Sequence, residues 1–265
     1  MLRRSFLAGL AVLPALPLVA HAARPSLNIG IYPGTGKADI LSGDFRTYAM
    51  PFAQALGAAV DAQPKLTLFR TIRSVMSSLK SGRLDLYFVP PSVAVAVLDH
   101  DYSPVVRVRD QATGVLVRRK GAVVKAVALT EKEYWLDVMA RHTLKNNKIE
   151  PAKIYNFKTQ DDVVLAIERD YAQAGSLRSS LANKLIESGL VEIWHPLPNT
   201  PDFTLMATNR LSQAEQNLLG EAAVGLSPGA IEALQKTIHS KVTGFVVDKE
   251  ADYKTIKQAM TEAGY

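Results

Sequence analysis

Strand-like and helix-like stretches alternate almost without interruption from Ser26 to the end of this chain, and that order limits its fold more than any other feature. Apolar and β-branched runs predict strands over 26–32, 65–70, 84–89, 105–108 and 114–118, with helices over 45–56, 71–80 and 91–98, the last carrying a proline in its first turn. A second set begins with a strand over 124–129. Thr130-Glu131-Lys132-Glu133 matches a capping box and predicts a helix from there to about residue 144. Strands over 153–157 and 171–174 then alternate with helices over 160–169 and 176–187. Val191 to Pro198 leads to a Pro/Asn break, followed by a strand over 203–209, helices over 214–223, 228–238 and 253–263, and a short strand over 245–247.

Such alternation implies an α/β fold of parallel sheets with helices on both faces. Two lobes, the second inserted into the first, explain the order: residues 23–112 and 203–265 form lobe 1, and 113–202 form lobe 2. The chain then crosses between lobes near 112–114 and 202–205. Ligands of open α/β sheets lie beyond the carboxyl ends of the strands, so two facing lobes make a cleft that closes on a small molecule by hinge motion.

The start of the chain points to export. Arg3 and Arg4 precede an apolar run from Phe6 to Ala20, and Ala20-His21-Ala22 supplies the small residues of a cleavage site, so residues 1–22 read as a cleavable signal peptide. The run of about 15 residues is short of the roughly 20 that span a bilayer. Leu2-Arg3-Arg4-Ser5-Phe6-Leu7 also resembles a twin-arginine export signal. The expected location is the periplasm. Losing Arg3 and Arg4 takes the formal charge from +6 to +4, an excess that suits an anionic small ligand and contains no basic run of the nucleic-acid-binding kind. With no cysteine in the chain, disulfides, thiolate catalysis and zinc-thiolate sites are excluded, and none of the five histidines stands at metal-ligand spacing. No cofactor is expected.

The stretch Gly30-Ile31-Tyr32-Pro33-Gly34-Thr35-Gly36-Lys37-Ala38-Asp39 looks at first like a phosphate-cradling loop. The P-loop spacing fails twice, because Ile31 stands where the first glycine belongs and Ala38 where a Ser or Thr should reach magnesium. A dinucleotide fingerprint fails as well, since no third glycine follows Gly34-x-Gly36 at its place. What remains is a strand opening onto a Gly/Pro loop, in which Lys37 reads as a solvated lysine.

Several stretches together resemble the periplasmic solute-binding proteins of ABC transporters, within them the phosphate/phosphite/phosphonate-binding group. They are Leu27-Asn28-Ile29-Gly30-Ile31 with Tyr48 and Pro51-Phe52; Met76-x-x-Leu79-x-x-Gly82-x-Leu84-Asp85-Leu86; Ser92-x-Ala94; Thr159-Gln160-Asp161-Asp162-Val163; the run from Tyr171 to Leu181; and Val191-x-Ile193-Trp194-x-x-Leu197-Pro198. The resemblance implies a two-lobed, Venus-flytrap binding protein that hands its solute to an inner-membrane permease, acts as a monomer and is not an enzyme. One departure concerns the ligand. Where many members carry a Ser/Thr-rich turn that holds an oxyanion, this chain has Leu129-Thr130-Glu131-Lys132-Glu133-Tyr134, and Thr159 stands where some phosphonate binders carry a histidine.

Helix starts facing the cleft are the candidate ligand contacts, since each presents unpaired N–H donors and about half a positive charge. Thr71 and Ser74, Ser92, Thr130 and Thr159 occupy such starts, and each also fits an ordinary N-cap. Tyr32 and Tyr87, at or near strand ends, can stack on a ligand or pack in a core. Arg178 can grip a carboxylate or phosphate with its guanidinium fork. A sensor that presents its ligand state to a membrane histidine kinase is the alternative on the same fold. An exported enzyme would rest on Asp161-Asp162, which the helix dipole explains equally well.

Overall fold

The computed structural model describes residues 25–34, 41–238 and 240–265, so the signal-like stretch, Lys37 and His239 lie outside the described residues. In chain order the elements are β1 (Ser26–Ile31), α1 (Ser42–Ala59), β2 (Gln63–Leu68), α2 (Ile72–Ser81), β3 (Leu86–Val89), α3 (Pro91–Leu98), β4 (Tyr102–Val108), β5 (Gly114–Arg119), β6 (Ala126–Leu129), α4 (Trp135–Asn146), β7 (Lys153–Asn156), α5 (Gln160–Glu168), β8 (Ala174–Arg178), α6 (Ser179–Glu187), β9 (Val191–Pro196), β10 (Thr204–Thr208), α7 (Gln213–Val224), α8 (Pro228–Ile238), β11 (Phe245–Val247) and α9 (Lys254–Ala263).

Among the described residues these strands form two sheets, in the orders β11-β4-β10-β3-β1-β2 and β7-β6-β8-β5-β9. The five-stranded sheet draws every strand from 114–196, and the six-stranded sheet draws strands from both sides of that span. The all-parallel sheets expected from the alternation are mixed instead. β1 runs parallel to β2 and β3, and β6 parallel to β7 and β8, but β10 is antiparallel to both β3 and β4, and β5 to both β8 and β9. Connectivity is the reason. β4 leads into β5 and β9 into β10 with no helix between, so a returning strand enters its sheet at the end from which the outgoing one left. The two crossings pair with each other: Ala112 N–H donates to Thr200 O at 3.0 Å and Thr200 N–H to Ala112 O at 3.4 Å. Crossings of this kind are where two lobes can rotate about each other.

Helices cover both faces of the first sheet. Leu27, Ile29 and Ile31 alternate onto one face with Phe52 of α1 and Leu219 of α7, where Phe52 lies 5.2 Å from Phe88 and 5.8 Å from Phe245. The opposite face packs on α2, α3 and α9, and this core runs on without a break into α4 of the second sheet through Tyr134, Trp135 and Leu136. A smaller core lies between β5, β6, β8, α5 and α6.

Two local expectations are corrected. The helix expected to start at Thr130 starts at Trp135, because 131–134 form a turn closed by Tyr134 N–H on Glu131 O, with Glu133 left-handed at φ 67° and Tyr134 extended as N-cap. The strand expected over 171–174 runs instead over Ala174–Arg178, and the following helix starts at Ser179 rather than Ser176. Gly175 explains the shift: a Cβ there would stand 2.8 Å from Val163 Cγ1 and 2.9 Å from Ala128 O, so α5 and β6 close on a strand whose backbone must be bare.

Close to the crossings, Asp110 accepts from Thr243 N–H at 2.9 Å and from Thr243 Oγ1 at 2.6 Å. Burial raises its pKa, but the Thr243 hydrogen bonds and Lys241 outweigh that and hold it below the ordinary 3.8. A depressed carboxylate contributes stability above its unfolded pKa and loses it as pH falls through the folded value. Urea titrations from pH 6 down to pH 2 are expected to show a shallower acid loss of stability in Asp110→Asn than in the wild type.

Candidate functional site

The carboxyl ends of β1, β3, β6 and β8 each deliver the chain to a loop or a helix start, and the sequence-predicted residues separate there into two groups. In the first, the polar atoms are engaged locally. Thr71 and Ser74 form a reciprocal capping box on α2, and Thr159 forms one with Asp162 on α5, its hydroxyl donating to Asp162 Oδ2 at 2.7 Å. Tyr87 is fully buried, stacked on Phe69 and edge-on to Tyr102, with its hydroxyl bonded to Ser78 Oγ.

The second group is Tyr32, Ser92, Thr130 and Arg178. Ser92, 2% exposed in the first turn of α3, and Thr130, 0% exposed after β6, have hydroxyls with no hydrogen-bond partner among the described residues. Ser176 Oγ on β8 and Trp135 Nε1 on α4 share that condition. A buried polar atom left unpaired costs about 1–3 kcal/mol, so these four call for an explanation. Ser92→Ala is therefore expected to leave the protein, without ligand, as stable as wild type or up to about 1 kcal/mol more so, whereas Ser78→Ala, which removes a hydrogen bond to the buried Tyr87 hydroxyl and leaves it only Tyr102, costs about 1 kcal/mol. Thermal unfolding of the two variants side by side checks both signs.

Tyr32, at the end of β1, lies close to the 131–134 turn in the core that joins the two sheets. Burial, with the neighbouring Tyr134 phenol and Glu131 carboxylate adding to it, pushes its pKa well above the ordinary phenol range, so it remains a donor. Tyr134 also closes on the loop after β1, where a Cβ on Gly34 would stand 2.9 Å from its hydroxyl.

Arg178 ends β8 with its guanidinium fork on Asp202: Nη1 donates to Oδ2 at 2.9 Å and Nη2 to Oδ1 at 3.0 Å. Ser240 Oγ donates to the same Oδ2 at 2.8 Å, and the guanidinium carbon sits 5.5 Å from the centre of the Trp135 ring. Burial opposes the arginine's charge, but Asp202 more than offsets it and, with a hydrogen bond to Tyr134, raises its pKa above the ordinary value. The bidentate grip expected of Arg178 thus exists, and its partner is a carboxylate of the protein. Asp202 and Ser240 were missing from the sequence reading, since residues 24 and 62 positions away meet Arg178 only through the fold.

The start of α4 is supplied from within in the same way. Asp137, 0% exposed in its first turn, accepts from Arg141 Nε at 2.9 Å, Asn156 Nδ2 at 2.7 Å and the Tyr265 hydroxyl at 2.6 Å. A buried carboxylate in this place complements the helix dipole that an oxyanion would otherwise satisfy.

Beside these contacts a cavity of about 350 Å³ opens between α2, α3, α9 and the 131–134 turn, with Ser92 and Glu133 in its wall. That volume lies within the range of small-molecule pockets. Among the described residues there is no cluster of three or more metal-type ligands, and no helix is long and apolar enough to cross a membrane.

Two sheets, the second formed within a span that interrupts the first, make the two-lobed architecture of periplasmic solute-binding proteins. The family model described as the periplasmic substrate-binding protein of phosphonate ABC transporters matches residues 42–253, and the chain belongs to that family. The family's role is to bind substrate, not to catalyse. Among solved structures, XAC2383 from Xanthomonas citri bound to ATP aligns with TM-score 0.72 at 12% identity, over 91% of this chain and 98% of the other. PhnD1 from Prochlorococcus marinus in complex with methylphosphonate aligns with TM-score 0.68 at 14% identity, over 90% and 98%. The periplasmic aliphatic sulphonate binding protein SsuA from Escherichia coli gives 0.60 at 14%, over 91% and 92%. At these identities the likeness is one of fold. No curated protein matches the chain in sequence.

Proposed function

We propose that the chain captures a small anionic or polar solute between lobe 1, residues 23–112 and 203–265, and lobe 2, residues 113–202, and delivers it as a monomer to an inner-membrane ABC permease. Residues 1–22 direct its export and are then removed. The observation that carries this reading is the pair of buried, unpartnered hydroxyls on Ser92 and Thr130, one from each lobe, at the carboxyl ends of parallel strands. Structures of the same fold solved with methylphosphonate or ATP, or named for aliphatic sulphonates, support an anionic solute.

Thermal-shift screening of phosphonates, sulfonates, phosphate and small carboxylates tests it. A solute at a hundred times its dissociation constant adds about 2.7 kcal/mol of stability. The Ser92→Ala/Thr130→Ala double variant should lose most of that gain. A responsive solute that binds the double variant unchanged would rule out this site.

A further inference from the structure

Both crossings between the sheets are tied to one short loop, residues 240–244, which joins α8 to β11. On the first crossing, Thr243 donates to Asp110 Oδ2 twice, from its N–H at 2.9 Å and from Oγ1 at 2.6 Å, and the Arg109 N–H donates to Gly244 O at 2.9 Å. Gly244 allows that approach, since its φ of 144° is one that side chains rarely adopt and a Cβ there would stand 3.4 Å from Arg109 Nη2. On the second crossing, Ser240 Oγ donates to Asp202 Oδ2 at 2.8 Å. The loop itself belongs to the first lobe. Val242 is buried in the same core as Leu234 and Ile238 of α8, and its N–H donates to Gln235 Oε1 of that helix at 3.1 Å.

These ties limit where the chain can bend. The loop holds the first crossing as far as Asp110, and the second from Asp202 onward, on the first lobe. Gly114 and Leu197 already belong to the second, since Gly114 pairs with Arg178 and the Leu197 N–H donates to Gly114 O at 2.9 Å. Between them remain residues 111–113 in one strand and 198–201 in the other, where Pro198 and Pro201 have φ fixed by their rings. One side chain reaches back over this bend. Arg178, at the end of β8, donates through both Nη atoms to Asp202 and through Nη1 to Ser240 Oγ at 3.3 Å, so turning one lobe against the other draws its guanidinium off those partners.

Resting on the reading of the two sheets as the moving lobes of a solute-binding protein, we propose that the 240–244 loop is the clasp of the hinge. Thr243 and Ser240 pin the two crossings to lobe 1, the bend is confined to 111–113 and 198–201, and Ser240 with Asp202 catches Arg178 of lobe 2. Ser240 and Thr243 are thus positioning residues, which set how freely the lobes turn without touching a solute.

Amide hydrogen exchange of the Ser240→Ala/Thr243→Val variant, without solute, tests this. Ser240 is half-buried and Thr243 exposed, so the cores stay intact, which circular dichroism checks. Ser212→Ala, which removes the cap that Ser212 forms with Glu215 at the start of α7, is the control for losing ordinary hydrogen bonds. The Ala112 and Thr200 amides, which bond across the crossings, should exchange about tenfold faster in the double variant, as for the loss of hydrogen bonds of ordinary net strength, while amides in β1 and β6 keep their wild-type rates. Energy transfer between dyes on Lys80→Cys of α2 and Lys184→Cys of α6, both exposed, should report a broader spread of distances in the double variant and not in Ser212→Ala. Crossing amides that exchange at wild-type rates would overturn the proposal. So would a rise shared by β1 and β6, which is general destabilisation, or a rise at the crossings with no change in the spread of distances. No arm of the experiment needs a solute: the expected result together with no response in the solute screen would keep the clasp and remove solute capture, and a bound solute with unaffected crossings would do the reverse.

Discussion

Replacing Asp202 with alanine should lower the stability of the folded chain by about 3–5 kcal/mol, the cost of leaving a buried charge without its partner. The Asp202 side chain is 2% exposed and that of Arg178 15%, so little water is present to take over solvation of the guanidinium. Nη2 loses its carboxylate acceptor, Nη1 keeps only the longer contact to Ser240 Oγ at 3.3 Å, and Ser240 loses its own acceptor. Urea unfolding measures the change directly. A loss below about 1 kcal/mol would mean that the guanidinium reaches solvent and that the pair acts as a surface ion pair does. Arg178 belongs to the second sheet, while Asp202 lies on the return to the first and Ser240 between α8 and β11, so the same variant should also loosen one sheet against the other.

Trp135→Ala is expected to cost a similar 3–5 kcal/mol, as for the loss of a large, fully buried aromatic side chain. Trp135 is 0% exposed, lies in the core that joins the two sheets, and is packed so tightly that a Cβ on Gly114 would stand 3.1 Å from its Cη2. Its Nε1–H has no partner among the described residues, so Trp135→Phe, which removes that donor and keeps a ring, should cost clearly less. The Arg178 guanidinium lies over the indole, so the Trp135 and Asp202 effects should not add: each substitution removes support for the same arginine. Additive losses in the double variant would show that the ring and the ion pair act independently.

Where local chemistry decides structure, the sequence was legible. Pro91 in a first turn followed by an apolar run marked α3, Pro228 marked α8, and the Phe245–Val247 strand stood out between two polar stretches. The caps at Thr71 and Thr159 were readable too, because a capping box lies within four residues. β8 was displaced because Ala174-Gly175-Ser176-Leu177-Arg178 is a strand buried on both faces, and its small residues carry neither a period of two nor β-branched side chains. Strand direction could not be read, because whether β10 lies parallel or antiparallel depends on where the chain returns. The same holds at the site. Ser92 and Thr130 could be proposed from their places at helix starts, but what separates them from Thr159 is the absence of a partner, a property of the folded surroundings. Asp137 was hidden for the converse reason: a lone acid in a first turn reads as a dipole charge until Asn156 and Tyr265 are seen to close on it.

The central claim is that the two sheet-bearing lobes close on a solute. Because the chain has no cysteine, Lys80→Cys on α2 and Lys184→Cys on α6, both exposed, introduce two unique labelling positions, one beside each sheet. Single-molecule energy transfer between dyes at these positions should show saturating solute, chosen from those that raise the unfolding temperature, shifting the population to a single shorter distance. A distance distribution that is the same with and without a stabilising solute would contradict closure around a bound molecule.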